Sequence, residues 1–316
     1  MKTKIIGVMA AKNLVSQGYP FLEAIYSFLN WGDELYVGDD SSDETYAILS
    51  RIAKNKRIKV FKLPWKNATK KGKAIGIAYN DLIKTVKRKV KPNDFIYELQ
   101  SNEITHEDIY EEMRALPEQY PYYKGYFVPL KEMVGIYSIR DGTYRFRLAK
   151  ASNNMAILGD GGRIDLIRDV SPLKFLGDEL KTIFRYISPG MYSIRTFRYL
   201  TFDNRIKVPV LSNSIFRYSV IFPVNYIKKL QGHKKLYQDK KFMEVEKLYK
   251  LKNNPDRFYF KLASHLCKTY VENRKVPVKL EPEKHPEIMR GIINSDRYVI
   301  RSDLVENIIK MNKIMY

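Results

Sequence analysis

Apolar and polar stretches alternate over roughly the first 110 residues in an order that predicts successive strands and helices. Short, mostly apolar runs predict strands, and longer runs with apolar positions three or four residues apart predict helices. The predicted strands cover 4–10, 33–38, 59–63 and 95–99. Of the three predicted helices between them, the first begins at Pro20, the second covers 42–53 and the third covers 72–86. Because strands and helices alternate strictly, we expect an α/β fold with a mostly parallel sheet and helices on both faces.

The pattern changes after Pro121. Apolar and basic residues then alternate, which predicts a half-buried antiparallel strand, in the order Tyr144, Arg145, Phe146, Arg147 and Leu148. Residues 208–222 are also expected to be extended. From Asn225 onward the chain is rich in lysine and is expected to be helical. The parallel sheet is therefore expected to be followed by a smaller antiparallel and helical part.

This change of pattern also predicts the domain organisation. We expect one domain over 1–222, with a first half at 1–120 and a second half at 121–222. The two halves can share one core. A basic helical region over 223–316 is expected to follow.

The formal net charge of +21 is the strongest signal in the composition of the 316 residues. It predicts attraction to an anion, and it leaves nucleic acid, an acidic membrane surface and phosphorylated substrates open. Lysine pairs at 228–229, 234–235 and 240–241 do not share one helical face. A solvated basic surface explains them, and a peripheral contact with anionic lipid stays open. Nucleic acid is disfavoured, because no module that interleaves aromatic and basic residues is recognisable.

The compartment is predicted from cysteine content and hydropathy. The single cysteine, Cys267, excludes an internal disulfide and a cysteine-cluster zinc site, and it fits a reducing compartment. The first apolar run stops at Lys12, so no secretory signal is recognised. No run approaches the ~18 apolar residues of a membrane span. We expect a cytoplasmic protein, with the peripheral membrane contact left open.

Candidate chemistry lies between the second predicted strand and the helix that follows it. Asp39 and Asp40 fall at the carboxyl end of that strand, which borders the ligand crevice in a parallel α/β sheet. Residues 41–44 have the Ser-x-x-Glu form of a capping box. An ordinary strand-to-helix loop explains these residues equally well. The glycine fingerprint of a dinucleotide site is missing after the first strand, which disfavours a classical NAD site.

With these elements placed, the sequence resembles the family 2 glycosyltransferases, which have the GT-A fold, a Rossmann-like architecture. Residues 8–13 (V-M-A-A-K-N) resemble the family's opening strand and R-N-E loop. Residues 37–45 (V-G-D-D-S-S-D-E-T) resemble its D-D-x-S-x-D-x-T signature. Residues 96–108 (I-Y-E-L-Q-S-N-E-I-T-H-E-D) resemble the D-x-D strand in the form L-Q-A-D-E-x-x-H-E. Two later segments match more weakly. Residues 216–218 (F-R-Y) resemble the family's H-Y-G-W segment, and residues 285–289 (H-P-E-I-M) resemble its terminal H-P-x-x-M.

The resemblance implies transfer of a sugar from a UDP- or GDP-linked donor to a glycan, lipid or protein acceptor. It places Ala10 and Asn13 beside the base and ribose of the donor. Asp40, or its neighbour Asp39, would accept a hydrogen bond from uracil or ribose. Lys71, at the entry to the third helix, would face the nucleotide as well.

The resemblance also bears on the metal. Gln100 and Asn102 stand where the family has metal-binding carboxylates, and amides are poor ligands for a hard dication. Glu103 keeps a charge there and is the candidate ligand if Mn²⁺ or Mg²⁺ is used. The alternative is that Glu103 is a solvated loop residue. We expect no required metal. Arg217, at the place of a family histidine, is then the candidate cation for the departing diphosphate, and an ion pair at the surface is the alternative.

Asp160 is the candidate catalytic base. An inverting transferase needs a carboxylate that takes the proton of the acceptor hydroxyl, and Asp160 stands in a Gly-Asp-Gly-Gly run where backbone can approach a substrate closely. Asp165 competes for this role, and a plain turn explains the glycines equally well.

The sequence therefore predicts a glycosyltransferase, with inversion at the anomeric carbon. Two other classes stay open. One is an inactive relative that binds a nucleotide or glycan, because the metal motif is altered. The other is a basic nucleic-acid-binding protein on a similar α/β scaffold, since one fold serves many functions.

Overall fold

The computed structural model describes residues 3–65, 73–152, 155–158, 163–166, 206–207, 209–228, 250–270 and 276–311, and the statements below concern these residues. Lys71, Asp160 and most of the lysine pairs lie outside them. Among the described residues we find no helix that is long and apolar enough to cross a bilayer.

Strands and helices alternate in the first third of the chain and strands dominate the second. The strands are β1 (Ile5–Ala11), β2 (Glu34–Asp39), β3 (Ile58–Lys62), β4 (Phe95–Glu98), β5 (Glu103–Thr105), β6 (Gly125–Val134), β7 (Tyr137–Lys150), β8 (Met155–Leu158), β9 (Arg163–Leu166), β10 (Ile206–Lys207), β11 (Ile215–Val220) and β12 (Val278–Lys279). The helices are α1 (Leu14–Gln17), α2 (Phe21–Leu29), α3 (Thr45–Ile52), α4 (Lys73–Val86), α5 (Tyr110–Gln119), α6 (Pro255–Tyr270), α7 (Glu287–Arg290) and α8 (Ser302–Lys310).

The first four strands form a parallel sheet in the order β3-β2-β1-β4. Each neighbouring pair is parallel, with Val8 opposite Tyr36 of β2 on one side and Glu98 of β4 on the other. The predicted alternation of strands and helices is confirmed, because the apolar runs are the buried strands. The chain moves outward from β1 to β2 and β3 and then returns to the other side of β1. The carboxyl ends of β1 and β4 therefore flank a topological switch point, where parallel α/β sheets bind ligands.

The same sheet continues in the order β4-β7-β6-β11-β5. All of these neighbours pair antiparallel except β6 and β11. β7 runs antiparallel to both β4 and β6, as the alternating pattern predicted. The sheet as a whole is mixed, because β6 and β11 pair in parallel. The predicted extended stretch is shorter than expected, since β11 begins only at Ile215. The division at residue 120 stays a prediction, although one sheet runs through both sides of it.

The last part of the chain packs on the first. Helix α8 lies against α2 and α3. Asn55, which is fully buried after α3, donates from Nδ2 to the carbonyl oxygens of Ile308 (2.6 Å) and Met311 (2.8 Å). These bonds tie the carboxyl end of α8 to the segment that follows α3.

The capping box predicted at 41–44 is wrong. Helix α3 begins at Thr45, and the side chain of the preceding residue, Glu44, makes no capping hydrogen bond. Instead the Asp43 carboxylate accepts from the Thr45 backbone N–H at 3.0 Å. The two serines bond to the loop after β1, so they make a tertiary contact in place of the predicted capping box.

Glu23 of α2 is a carboxyl group buried under the last part of the chain. The Tyr298 hydroxyl donates to its Oε2 at 3.1 Å, and its Oε1 has no hydrogen-bond partner among the described residues. Burial, the largest cause, raises the pKa of Glu23 to about 7. The neutral carboxylic acid is therefore the form that this environment favours.

We expect Glu23→Gln to remove part of the pH dependence of folding stability. A folded-state pKa above the unfolded value contributes stability that is present below the unfolded pKa and is lost as pH rises through about 7. Wild type should thus lose on the order of 2 kcal/mol, relative to Glu23→Gln, between pH 4.5 and 8. Urea unfolding at several pH values measures this. The same slope in both proteins would contradict it.

Candidate functional site

Two loops meet at the carboxyl ends of β1 and β2. Asn13 has left-handed backbone geometry (φ 53°), a conformation that asparagine adopts more readily than most residues. Its Oδ1 accepts from the Ser42 backbone N–H at 2.8 Å, and its own N–H donates to the Ser41 hydroxyl at 2.7 Å. The structure therefore joins the Asn13 loop and the acidic turn, two segments that the sequence placed in one donor site.

Asp39 and Asp40 have different environments. The Asp39 side chain is fully buried, accepts from the Ser41 hydroxyl at 2.6 Å, and lies 3.6 Å from Nζ of Lys62. Asp40 is 28% exposed and pairs with Lys12 at 2.6 Å. The hydrogen bond from Lys12 holds the pKa of Asp40 below its usual value. Asp39 thus orients the turn, whereas Asp40 presents a charged oxygen at the crevice.

Trp65 forms a wall beside Asp40 that sequence reasoning missed. Its backbone N–H donates to Asp40, and Nζ of Lys12 lies 5.4 Å from the centre of its indole ring. Its Nε1 is buried without a hydrogen-bond partner in the described part of the chain. The signal was a tryptophan three residues after the third strand, at the same sheet edge as the two aspartates.

Tyr79 of α4 closes the crevice at the switch point. Its hydroxyl donates to the Leu99 carbonyl at 2.7 Å and also interacts with the backbone of Ala10. Leu99 N–H in turn donates to the Val8 carbonyl at 3.0 Å. These contacts fix the segment after β4 against the end of β1, where Ala10 is partly exposed.

A buried charge network lies directly below this point. Arg147 of β7 is fully buried and donates from Nε and Nη2 to the two carboxylate oxygens of Glu103, at 2.9 and 2.6 Å. Its Nη1 lies 2.8 Å from Oε1 of Glu98, which is also fully buried. The half-buried strand predicted at 144–148 is therefore wrong at Arg147. Both faces of β7 are covered there, and two glutamates satisfy the inward-facing charge.

Glu98 is the less stabilised acid of this network. Burial raises the pKa of Glu98 to about 7, against the lowering effect of Arg147. Its Oε1 accepts from the Gln100 amide at 3.2 Å, and its Oε2 has no hydrogen-bond partner among the described residues. Sequence reasoning passed over Glu98, although a charged residue inside the apolar run 95–99 is a signal that can be read.

Arg217 lies between two acids across three strands. In the sheet register it is opposite Glu103 of β5 on one side and Glu132 of β6 on the other. The shortest N–O separations are 3.9 Å to Glu103 and 3.5 Å to Glu132, and the side chain is 29% exposed. Beside it, the Asn102 amide donates to the Tyr218 carbonyl at 3.2 Å.

The residues after β4 do not fit a divalent metal. Both oxygens of Glu103 already accept from a guanidinium, and the amide nitrogens of Gln100 and Asn102 donate within the protein. The amide oxygens are poor ligands for a hard dication compared with carboxylates. In the described ranges no cluster of three or more His, Cys, Asp or Glu side chains is placed to hold a metal ion. A dication at Glu103 would have to displace Arg147, and the mechanism below uses none.

The candidate residues thus form two groups on either side of the switch point. Ala10, Asn13, Asp39 and Asp40 meet at the ends of β1 and β2, and Gln100, Asn102, Glu103 and Arg217 gather after β4. Lys71 and Asp160 lie outside the described residues. The rival base Asp165 lies in β9, with its backbone opposite Ala156 of β8.

Comparison with known proteins leaves the family open. No protein-family model matches the chain, and no curated protein sequence matches it. The structure is similar to TarS from S. aureus, with 16% identity over 74% of this chain and a TM-score of 0.35. It is also similar to 4-diphosphocytidyl-2C-methyl-D-erythritol synthase, with 13% identity over 47% of this chain, 74% of that chain and a TM-score of 0.32. The chain spans 40% of the length of TarS.

Similarities of this size assign neither activity nor substrate. The resemblance to family 2 glycosyltransferases stays a prediction, and the function has to be argued from the site itself.

Proposed function

We propose that this protein is a glycosyltransferase of GT-A type that uses a nucleoside-diphosphate sugar. The observation that carries the proposal is the meeting of the Asn13 loop and the Asp39–Asp40 turn at the carboxyl ends of β1 and β2, next to the topological switch point between β1 and β4. This is the place where parallel α/β sheets bind nucleotides.

On the donor side, each residue has a separate role in this proposal. Asp40 accepts a hydrogen bond from the base or ribose, and Trp65 provides an apolar surface next to it. Asp39 and Ser41 hold the turn in place, and the left-handed Asn13 fixes the loop that faces it. Lys71, which lies outside the described residues, contacts the nucleotide in this proposal, as the resemblance implies.

In the transfer step, Asp160 takes the proton from the acceptor hydroxyl. The acceptor oxygen bonds to the anomeric carbon as the bond from that carbon to the diphosphate breaks, which inverts the configuration. The departing diphosphate needs a positive partner. Arg217 supplies it, because a guanidinium stays charged and matches phosphate oxygens bidentately. The positive charge of the whole chain helps to attract the donor.

We expect turnover of UDP- or GDP-sugars to be unaffected by EDTA, because the residues after β4 do not fit a metal. Release of nucleoside diphosphate from a donor panel, with and without EDTA, measures this, and Arg217→Ala should abolish the release. Activity that collapses in EDTA and returns with Mn²⁺ would contradict it.

Nucleotide binding without turnover would favour an inactive relative, and stabilisation by an oligonucleotide alone would favour a nucleic-acid-binding protein.

A further inference from the structure

Three arginines share the charge network below the crevice but are unequally paired. We define the arginine cluster as Arg145, Arg147 and Arg217, with the acids Glu98, Glu103 and Glu132. Arg147 is held by two carboxylates at hydrogen-bond distance. The other two arginines have no such contact in the described part of the chain.

Arg145 is the least compensated cation of the cluster. It lies on β7 opposite Val128, mostly covered, and its guanidinium makes no hydrogen bond or ion pair to another described residue. Burial lowers the pKa of Arg145, and repulsion from Arg147 and Arg217 lowers it further. The guanidinium nonetheless stays charged, so the site holds a largely desolvated cation that no described acid contacts at hydrogen-bond distance.

Arg217 is only loosely paired. Its two ion pairs are longer than hydrogen bonds, and its Nε is buried with no hydrogen-bond partner among the residues described. Its nearer acid, Glu132, also serves Arg145 as a favourable charge. One carboxylate cannot compensate both guanidiniums.

We infer that Arg145 and Arg217 together bind a phosphate- or diphosphate-bearing anion. An anion between them would supply the missing hydrogen-bond acceptors and relieve the repulsion within the arginine cluster. Phosphate suits this geometry, because its oxygens accept bidentate bonds from planar guanidinium groups. The inference deepens the proposed function, on which it rests for the role of Arg217 at the diphosphate, by adding Arg145 as a second guanidinium.

The anion has two possible sources, the diphosphate of a nucleotide donor or a phosphate on an acceptor. Both share the chemistry that the two guanidiniums recognise. A competition between inorganic pyrophosphate and UDP separates them. Loss of pyrophosphate binding in saturating UDP identifies the donor's diphosphate, and simultaneous binding identifies a separate phosphate.

Calorimetric titration of the full chain with inorganic pyrophosphate tests the inference. We expect binding to wild type, and roughly tenfold or greater weakening in Arg145→Gln and in Arg217→Gln, as a charge-assisted contact is lost. The matched control is Arg257→Gln, which removes the same charge from an exposed position on α6 and should change nothing. Thermal melts confirm that each variant is folded.

The titration also separates this site from the donor site. Pyrophosphate binding that depends on Arg145, in a protein that ignores UDP, would support the anion site and contradict the proposed function. Binding of UDP with no pyrophosphate binding, or equal weakening in all three variants, would overturn the anion site.

Discussion

Arg147→Met is expected to be the most destabilising single substitution considered for this chain, at about 3–5 kcal/mol. The change leaves Glu98 and Glu103 buried together with no cation between them. Burial already raises the pKa of Glu98 to about 7, and the substitution removes the cation that lowers it. The loss of stability should therefore be largest at high pH and should shrink as pH falls. Urea unfolding at pH 5 and pH 8 measures this difference.

Two variants make the Arg147 result specific. Arg51→Met breaks an ion pair whose side chains are 53% and 46% exposed, and it should cost less than about 1 kcal/mol. The triple variant Glu98→Gln, Glu103→Gln, Arg147→Met removes all three charges and should recover much of the stability. A cost for Arg147→Met no greater than for Arg51→Met would show that the network does not stabilise the fold.

Asp160→Asn is expected to lower turnover by ~10²–10⁴-fold while leaving donor affinity unchanged. An amide keeps the shape of the carboxylate but cannot accept the proton of the acceptor hydroxyl. The described strands on either side of the Gly-Asp-Gly-Gly run are paired, with Leu158 opposite Arg163. β8 is also fixed to α4, because the Ile157 N–H donates to Asn80 Oδ1 at 2.7 Å. This contact links β8, which precedes the candidate base in the sequence, to the helix that closes the crevice.

Asp165→Asn is the matched control for the catalytic base. It makes the same chemical change five residues away, at a position opposite Ala156 in the β8–β9 pair. Single-turnover kinetics, together with calorimetric titration of the donor, separate an effect on chemistry from an effect on binding. Normal turnover in Asp160→Asn with loss in Asp165→Asn would assign the base to Asp165.

The sequence predicts the parallel half of this fold well, for a physical reason. Strands buried on both faces must be apolar throughout, so β1 to β4 are visible as apolar runs between amphipathic helices. The position of the Asn13 loop and the Asp39–Asp40 turn at one edge of the sheet could be predicted for the same reason, since both follow predicted strands of this kind. The pairing of Asn13 with Ser42 could not, because it joins residues 29 positions apart.

The charge network shows where sequence patterns stop being informative. Arg147 alternates with apolar residues, which predicts an exposed position on a half-buried strand. It is buried instead because Glu98 and Glu103 arrive from other strands and compensate its charge. Such compensation depends on the order of strands in the sheet, and no local pattern encodes that order. Arg145 and Arg217 become recognisable as a candidate anion site only after that order is known.

We propose above all that the edge formed by Asn13, Asp40 and Trp65 binds a nucleoside diphosphate. Calorimetric titration of wild type, Asp40→Ala and the exposed control Asp303→Ala with UDP and GDP tests it most directly. We expect one nucleotide to bind wild type and the control equally, and to bind Asp40→Ala more weakly by roughly 1.5–3 kcal/mol, the value of a hydrogen bond to a charged acceptor. Equal affinity in a folded Asp40→Ala, or no binding of either nucleotide to wild type, would contradict it.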